Sequence, residues 1–283
     1  DGSKAGLGRS TNMATSWSSW PLRDKTAFAT LDQQLAAGWH LKAAYTHRKS
    51  DGDGKVYYAG SGFPEPDRSG MTATIGHMIG DQSMRAYDLN LSGPYSLFGR
   101  EHELMFGYGE AERRSNDPYN VDGPRASDYE SVRDWKYMGG INKFPDTTTR
   151  LPSFKDSTRQ KAGYLATRLS LTDELHAVLG SRYGSWEASS KTYAYDQNLQ
   201  LTGVDASSQQ HNDMWTPYAG LLYDLTPEYT VYVSYTDIFK PQAVRDASRN
   251  YIDPVVGSNY EVGLKGSLLE ERLNVSTAVF WSK

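Results

Sequence analysis

The sequence contains no cysteine, which removes disulfides, thiolate metal sites and cysteine nucleophiles from consideration. It has no stretch approaching the roughly 18 consecutive apolar residues of a membrane helix, so helical spanning is excluded. Charge of one sign is also missing: 30 Lys and Arg stand against 34 Asp and Glu, with no basic block, and nucleic acid is not expected as a partner. The six histidines (His40, His47, His77, His102, His176 and His211) form no HxH or HExxH pair, which argues against a zinc enzyme. No G-x-S-x-G elbow, Walker loop or GxGxxG is present, so no catalytic residue is assigned. "DGDGK", Asp51 to Lys55, begins like a calcium loop but has Lys55 where an oxygen ligand is needed, and it reads as a glycine-rich turn. "NDPYNVDG", from Asn116 to Gly123, reads as a surface turn. Apolar residues make up only 38%, and the mean hydropathy is -0.66, too polar for a chain built around a large conventional core.

What is abundant is tyrosine, tryptophan and glycine, at 20, 7 and 26 residues. They fall in short alternating stretches. In "YTVYVSYTDIFKPQ", Tyr229, Val231, Val233 and Tyr235 share one face of an extended chain, and Thr230, Tyr232, Ser234 and Thr236 share the other. "WHLKAAYTH", "AYDLNLSG", "HELMFGYG", "DMWTPYAGLLYDL", "NYEVGLKG" and "LNVSTAVFW" repeat the pattern. Three weaker stretches, Lys25 to Leu35, Thr158 to Leu171 and Leu175 to Ala188, bring the total to ten predicted strands with no helix of useful length.

The connections alternate. Ala36 to Gly38, Gly93 to Arg100, Thr172 to Glu174, Thr226 to Glu228 and Leu268 to Glu271 are short. Lys49 to Met84, Arg114 to Ser157, Ser189 to Asn212 and Asp237 to Ser258 are long. Short turns at one end and long loops at the other are the layout of outer-membrane barrels, whose strands turn apolar side chains to lipid and polar ones to the lumen. Tyr229 and Tyr235 then differ by roughly 15 Å in depth, and Phe239 reaches the outer interface at roughly 25 Å. The predicted fold class is therefore all-β, an antiparallel up-and-down transmembrane β-barrel. A half-buried strand of a soluble sheet is the alternative.

"GWHLKAAYTH", "GPYSLFGREHELMFGYG", "VYVSYTDIFKPQ" and "DPVVGSNYEVGLKG" resemble the barrel of the TonB-dependent siderophore receptors, in particular the ferric-pyoverdine and ferric-coprogen group. The most specific positions are Phe239, Pro241 and Gln242, then Pro254, Gly257, Tyr260, Glu261, Gly263 and Lys265. The resemblance implies a 22-stranded barrel filled by an N-terminal plug, of which residues 1–283 would be a partial barrel domain, an internal piece lacking the plug. It further implies a ferric siderophore as ligand, the TonB complex as partner through the missing plug, outer-membrane lipid around the wall, and the outer membrane of a Gram-negative bacterium as location. No cofactor is expected. Glu103, Arg182, Glu261, Lys265 and Arg272 are predicted to face the lumen. Glu261 and Lys265 lie about 13 Å apart along one strand, so their partners are expected elsewhere, with the plug as candidate.

The loops carry the expected ligand site. Trp17 and Trp20 precede the first strand, and Tyr119, Tyr129, Trp135 and Tyr137 gather with Arg125 and Arg133 in the long segment around residues 116–140. Rings stack on flat chelates and guanidiniums answer negative charge. The alternatives are that the rings belt the interface or pack the loops together, and, for the whole chain, a passive porin-like channel.

Overall fold

The computed structural model describes residues 15, 17–62, 71–120, 150–196, 198–242, 246–248 and 251–283. Ten strands form one antiparallel sheet in strict sequence order: β1 (Leu22–Gln34), β2 (His40–Gly62), β3 (Met71–Leu97), β4 (Arg100–Asn120), β5 (Arg150–Ser170), β6 (Leu175–Tyr195), β7 (Leu201–Thr226), β8 (Tyr229–Lys240), β9 (Val255–Leu268) and β10 (Leu273–Ser282). A 3-10 turn at Ala36–Gly38 is the sole helical element among the described residues. The meander is the predicted one, and it forms part of a barrel wall.

The strands run much further than the alternation reached. β3 has 27 residues, about 90 Å of chain at 3.3 Å per residue, more than twice the tilted span of a bilayer. Two of the four expected long loops, Lys49 to Met84 and Ser189 to Asn212, are therefore mostly ladder. Ser189 to Asn212 closes at residues 196–200, where Asp196 Oδ1 accepts the amides of Asn198 and Gln200. "DGDGK" is a correction of the same kind: Asp51 to Lys55 is paired strand, opposite Asp81 to His77, and Asn116 to Asn120 is likewise in β4. Ladder hydrogen bonds override the turn preference of Gly and Asp once a partner strand lies alongside.

Register fixes the two faces. Val231, Val233 and Tyr235 lie opposite Leu264, Val262 and Tyr260, and Val262 and Tyr260 opposite Val279 and Trp281. The apolar face is not covered by protein: Val233 is 51% exposed, Val262 54% and Leu165 55%. Among the described residues the buried hydrophobics are only Ala162, Ala177 and Met214. Among the described residues no second layer packs on this face, which counts against the soluble alternative at the point that defines it.

The rings of that face form a belt. Tyr45 stacks on Tyr87 at 5.2 Å, Tyr183 meets Trp215 at 6.1 Å, and Tyr235, Tyr260 and Trp281 follow at 5.1 and 5.9 Å. The belt crosses the ladder obliquely. Tyr108 sits two residues short of Glu110, the partner of Tyr87, and Ala219, the partner of Tyr235, lies four residues past Trp215. That slant, roughly 25–30° at 3.3 Å per residue and 4.8 Å per strand, is the stagger that strand tilt produces in a barrel.

At the other end the short turns are tightly specified. Phe98 and Gly99 both have positive φ, 52° and 79°, a two-residue hairpin loop of the type that matches strand twist. The strand therefore continues to Leu97, past the predicted turn start at Gly93. Thr172 and Thr226 each accept two backbone amides through Oγ1, closing their turns in the same way. Arg100 bonds Asp173 at 2.8 Å, tying adjacent turns together.

Candidate functional site

The lumen face is organised by three tyrosines lying across glycines. Tyr164, Tyr218 and Tyr232 are register partners of Gly107, Gly180 and Gly263. A Cβ on Gly107 would fall 2.5 Å from the Tyr164 ring, and one on Gly263 2.6 Å from Tyr232. Each glycine is thus the empty place that lets a ring lie flat along the wall. The phenol then reaches along the neighbouring strands: Tyr164 donates to both oxygens of Asp88 at 3.1 Å, and Tyr232 donates to Glu261.

Tyr232 corrects the expectation for Glu261 and Lys265. Its hydroxyl bonds Glu261 while Lys265 Nζ lies 5.0 Å from its ring centroid. Both charges are served within the wall by the residue between them, which faces them from the adjacent strand. Glu103 likewise finds Arg168 at 3.9 Å, and Asp224 accepts from Thr230 at 2.5 Å.

Toward the long-loop end the wall changes character. Ser19 pairs with Lys55 through two backbone bonds of 2.9 and 2.8 Å, carrying the chain from Ser19 into β1 along the edge of β2. This lays the Trp20 indole over Gly54, where a Cβ would lie 3.1 Å from the ring. Gly54 is on the lumen face, so Trp20 is too. A cleft of about 660 Å³ opens beside it, lined on this side by Trp20, Leu22, Gln82, Arg113, Phe154 and Asp156. Trp20 is 57% exposed, and Arg113 has no carboxylate partner among the described residues. Nearby, Asp24 accepts from Ser50 and from Arg48, the guanidinium at 3.0 Å. A second ring group stands on β6 to β8: Trp186 stacks on its partner His211 at 5.8 Å, and Phe239 meets His211 edge-on at 5.8 Å. Phe239, expected at the outer interface, is in ladder line with Tyr235, but its ring is half-buried against that histidine.

Of the expected ligand residues, Trp20 is brought into the cleft. Trp17 is half-buried and does not line it. Tyr119 lies in β4, opposite Leu151. Arg125, Tyr129, Arg133, Trp135 and Tyr137 fall outside the described residues. Arg113, Phe154, Gln82 and Asp156 were missed. Their signal was the ladder period itself, since Gly107, Gly109, Ala111 and Arg113 continue one face. The chemistry available is a broad ring, an uncommitted guanidinium and hydrogen-bonding side chains on a concave, water-facing wall. Such a site can hold a flat anionic ligand by stacking and charge, and it presents no nucleophile and base in contact.

A sheet with a bare apolar outer face, a ring belt and a polar inner face defines a transmembrane β-barrel wall. The chain belongs to the TonB dependent receptor-like β-barrel family, whose match spans residues 2–283. It is 34% identical to the ferric-pyoverdine BN7/BN8 receptor of Pseudomonas putida over 99% of this chain and 34% of that protein. The ferripyoverdine receptor of the outer membrane of Pseudomonas aeruginosa, solved bound to ferripyoverdine, superposes with a TM-score of 0.82 at 31% identity, covering 98% of this chain and 35% of that one. The structure of the FpvAI–pyocin S2 complex superposes with a TM-score of 0.78 at 30% identity, covering 97% and 34%. The chain therefore spans about one third of the length of these relatives.

Proposed function

We propose that this chain forms part of the wall and the loop-side mouth of an outer-membrane receptor that binds a ferric siderophore of pyoverdine type. The observation that carries this reading is the Trp20–Arg113 cleft, on the lumen side of a wall whose relatives are named for ferric pyoverdines. The Trp20 indole offers a face to the planar part of the chelate, and Arg113 offers a charge to its anionic part. The chelate is cargo and passes unchanged, so the wall supplies recognition and no bond chemistry. Family membership supports transport energised by the TonB complex through a plug, in the outer membrane of a Gram-negative bacterium. The named relatives are receptors, which favours this reading over a passive porin-like channel or an enzyme.

The test is binding of radiolabelled ferripyoverdine to the complete receptor, measured as label retained on the protein. W20A and R113A are each expected to raise Kd about tenfold, equivalent to about 1.4 kcal/mol. W281A, on the lipid side, is expected to leave Kd unchanged. Wild-type affinity in both W20A and R113A would remove the ligand from this cleft.

A further inference from the structure

Two copies of one charge pattern stand on the lumen face, one closed and one open. On β1 and β2, Asp24 is the register partner of Ser50, and Arg48 lies two residues before that serine on the same face. On β5 and β4, Asp156 is the register partner of Ser115, and Arg113 lies two residues before that serine. Acid, hydroxyl and guanidinium thus take the same diagonal of an antiparallel ladder in both places, with acid and base about 7–8 Å apart at the backbone. In the first copy the diagonal closes: Asp24 accepts from Ser50 and holds the Arg48 guanidinium at 3.0 Å. In the second neither Arg113 nor Ser115 reaches Asp156. The other ladder partner of Asp156 is Ser190, which carries no charge. The neighbouring cations Lys155 and Lys191 face the opposite side, Lys155 over the Tyr193 ring at 5.7 Å. Other acids of the lumen face are engaged, Asp88 by Tyr164 and Glu261 by Tyr232. Asp156 is half-buried and has no partner among the described residues.

All three members of the open copy line the Trp20 cleft, whereas of the closed copy only Ser50 does. An ion pair between side chains this exposed is worth at most about 1 kcal/mol, so leaving it open costs the free wall little. A ligand can then take both charges without first breaking a bridge. A half-buried carboxylate left alone gains most from a partner that brings it a positive charge and N–H donors. Phe154, two residues along the same face of β5, lines the cleft as well and offers a ring to the same cation. We propose that Asp156 is a specificity-determining residue of this site and takes a cationic group, an ammonium or a guanidinium, carried on the ligand beside the anionic part held by Arg113. The inference rests on the chelate site proposed above and narrows its ligand class to ferric siderophores with a positively charged arm. A neutral arm would leave Asp156 unpaired and an acidic one would set like charges together, so the residue that admits one class turns away the others.

The test compares two radiolabelled ligands on the complete receptor: a ferripyoverdine that carries a free amine on its arm, and the same chelate after N-acetylation. The wild type is expected to bind the amine form about tenfold more tightly. D156N is expected to bind both forms with the wild type's affinity for the acetylated one, because only the charge contact is lost. D24N, which alters the closed copy, is expected to keep the tenfold preference. Equal affinity of the wild type for the two forms overturns the proposal without any variant, which covers a D156N protein that fails to fold. A folded D156N that weakens both forms alike, or neither, keeps the preference and overturns it too, since Asp156 then acts only on the wall. Binding of neither form by the wild type would sink the chelate site itself, whereas binding of both without preference leaves that site standing and removes only the role of Asp156.

Discussion

Tyr232 serves three neighbours from one position: its ring fills the space over Gly263, its hydroxyl bonds Glu261, and its face receives Lys265. The arrangement holds only because Gly263 has no side chain. G263V would push the ring off the wall and loosen both charges, at an expected cost of about 1–3 kcal/mol. Y232F keeps the ring and the Lys265 contact and loses only the hydrogen bond to Glu261. Its expected cost is smaller, because Glu261 faces a wet lumen where water replaces the lost bond. Urea unfolding of the receptor in lipid vesicles measures both. If the glycine matters through the ring, G263V in a Y232A background costs almost nothing further, and an unchanged cost would show that the backbone alone requires glycine.

The β3–β4 turn offers a test at the level of one element. Phe98 occupies a positive-φ position with its side chain 95% exposed, so it bears the conformational cost and makes little contact in return. Asn is tolerated in that region far better than a bulky aromatic. F98N is expected to raise stability by about 0.5–1 kcal/mol, seen as a higher unfolding midpoint, and a lower midpoint would mean that Phe98 meets something outside these strands. The turn also marks how far the sequence could be read. Where one face met lipid, the contrast between Val, Leu and Tyr on one side and Ser, Thr and Asn on the other located every strand. Above the belt both faces are wet, the contrast vanishes, and "KSDGDGK" within β2 carries turn residues although it is ladder. The site suffered for the same reason. Trp20 was legible from composition, since a tryptophan in a Ser/Thr-rich stretch is conspicuous, whereas Arg113 and Phe154 could be placed only by continuing the ladder into strand that looked like loop.

Across the whole wall, the decisive physical property is which face meets hydrocarbon. Val262 lies level with Val233 and Val279, between the depths of Tyr229 and Tyr235, near the middle of the apolar band. Ser234 lies beside it in register but faces the lumen, opposite Glu261. The same substitution at the two sites isolates sidedness, since the strands are adjacent and depth and neighbours are nearly shared. V262R puts a guanidinium into lipid tails at mid-depth and is expected to cost about 2–4 kcal/mol. S234R puts it in water near a carboxylate and is expected to change stability by less than about 1 kcal/mol. Refolding into vesicles followed by urea titration resolves the difference, and repeating it in a short-chain detergent should shrink the V262R penalty, because water reaches the arginine there. Equal costs at the two positions, or a larger one at Ser234, would mean that the bare apolar face is covered by protein and that the wall described here is turned inside out.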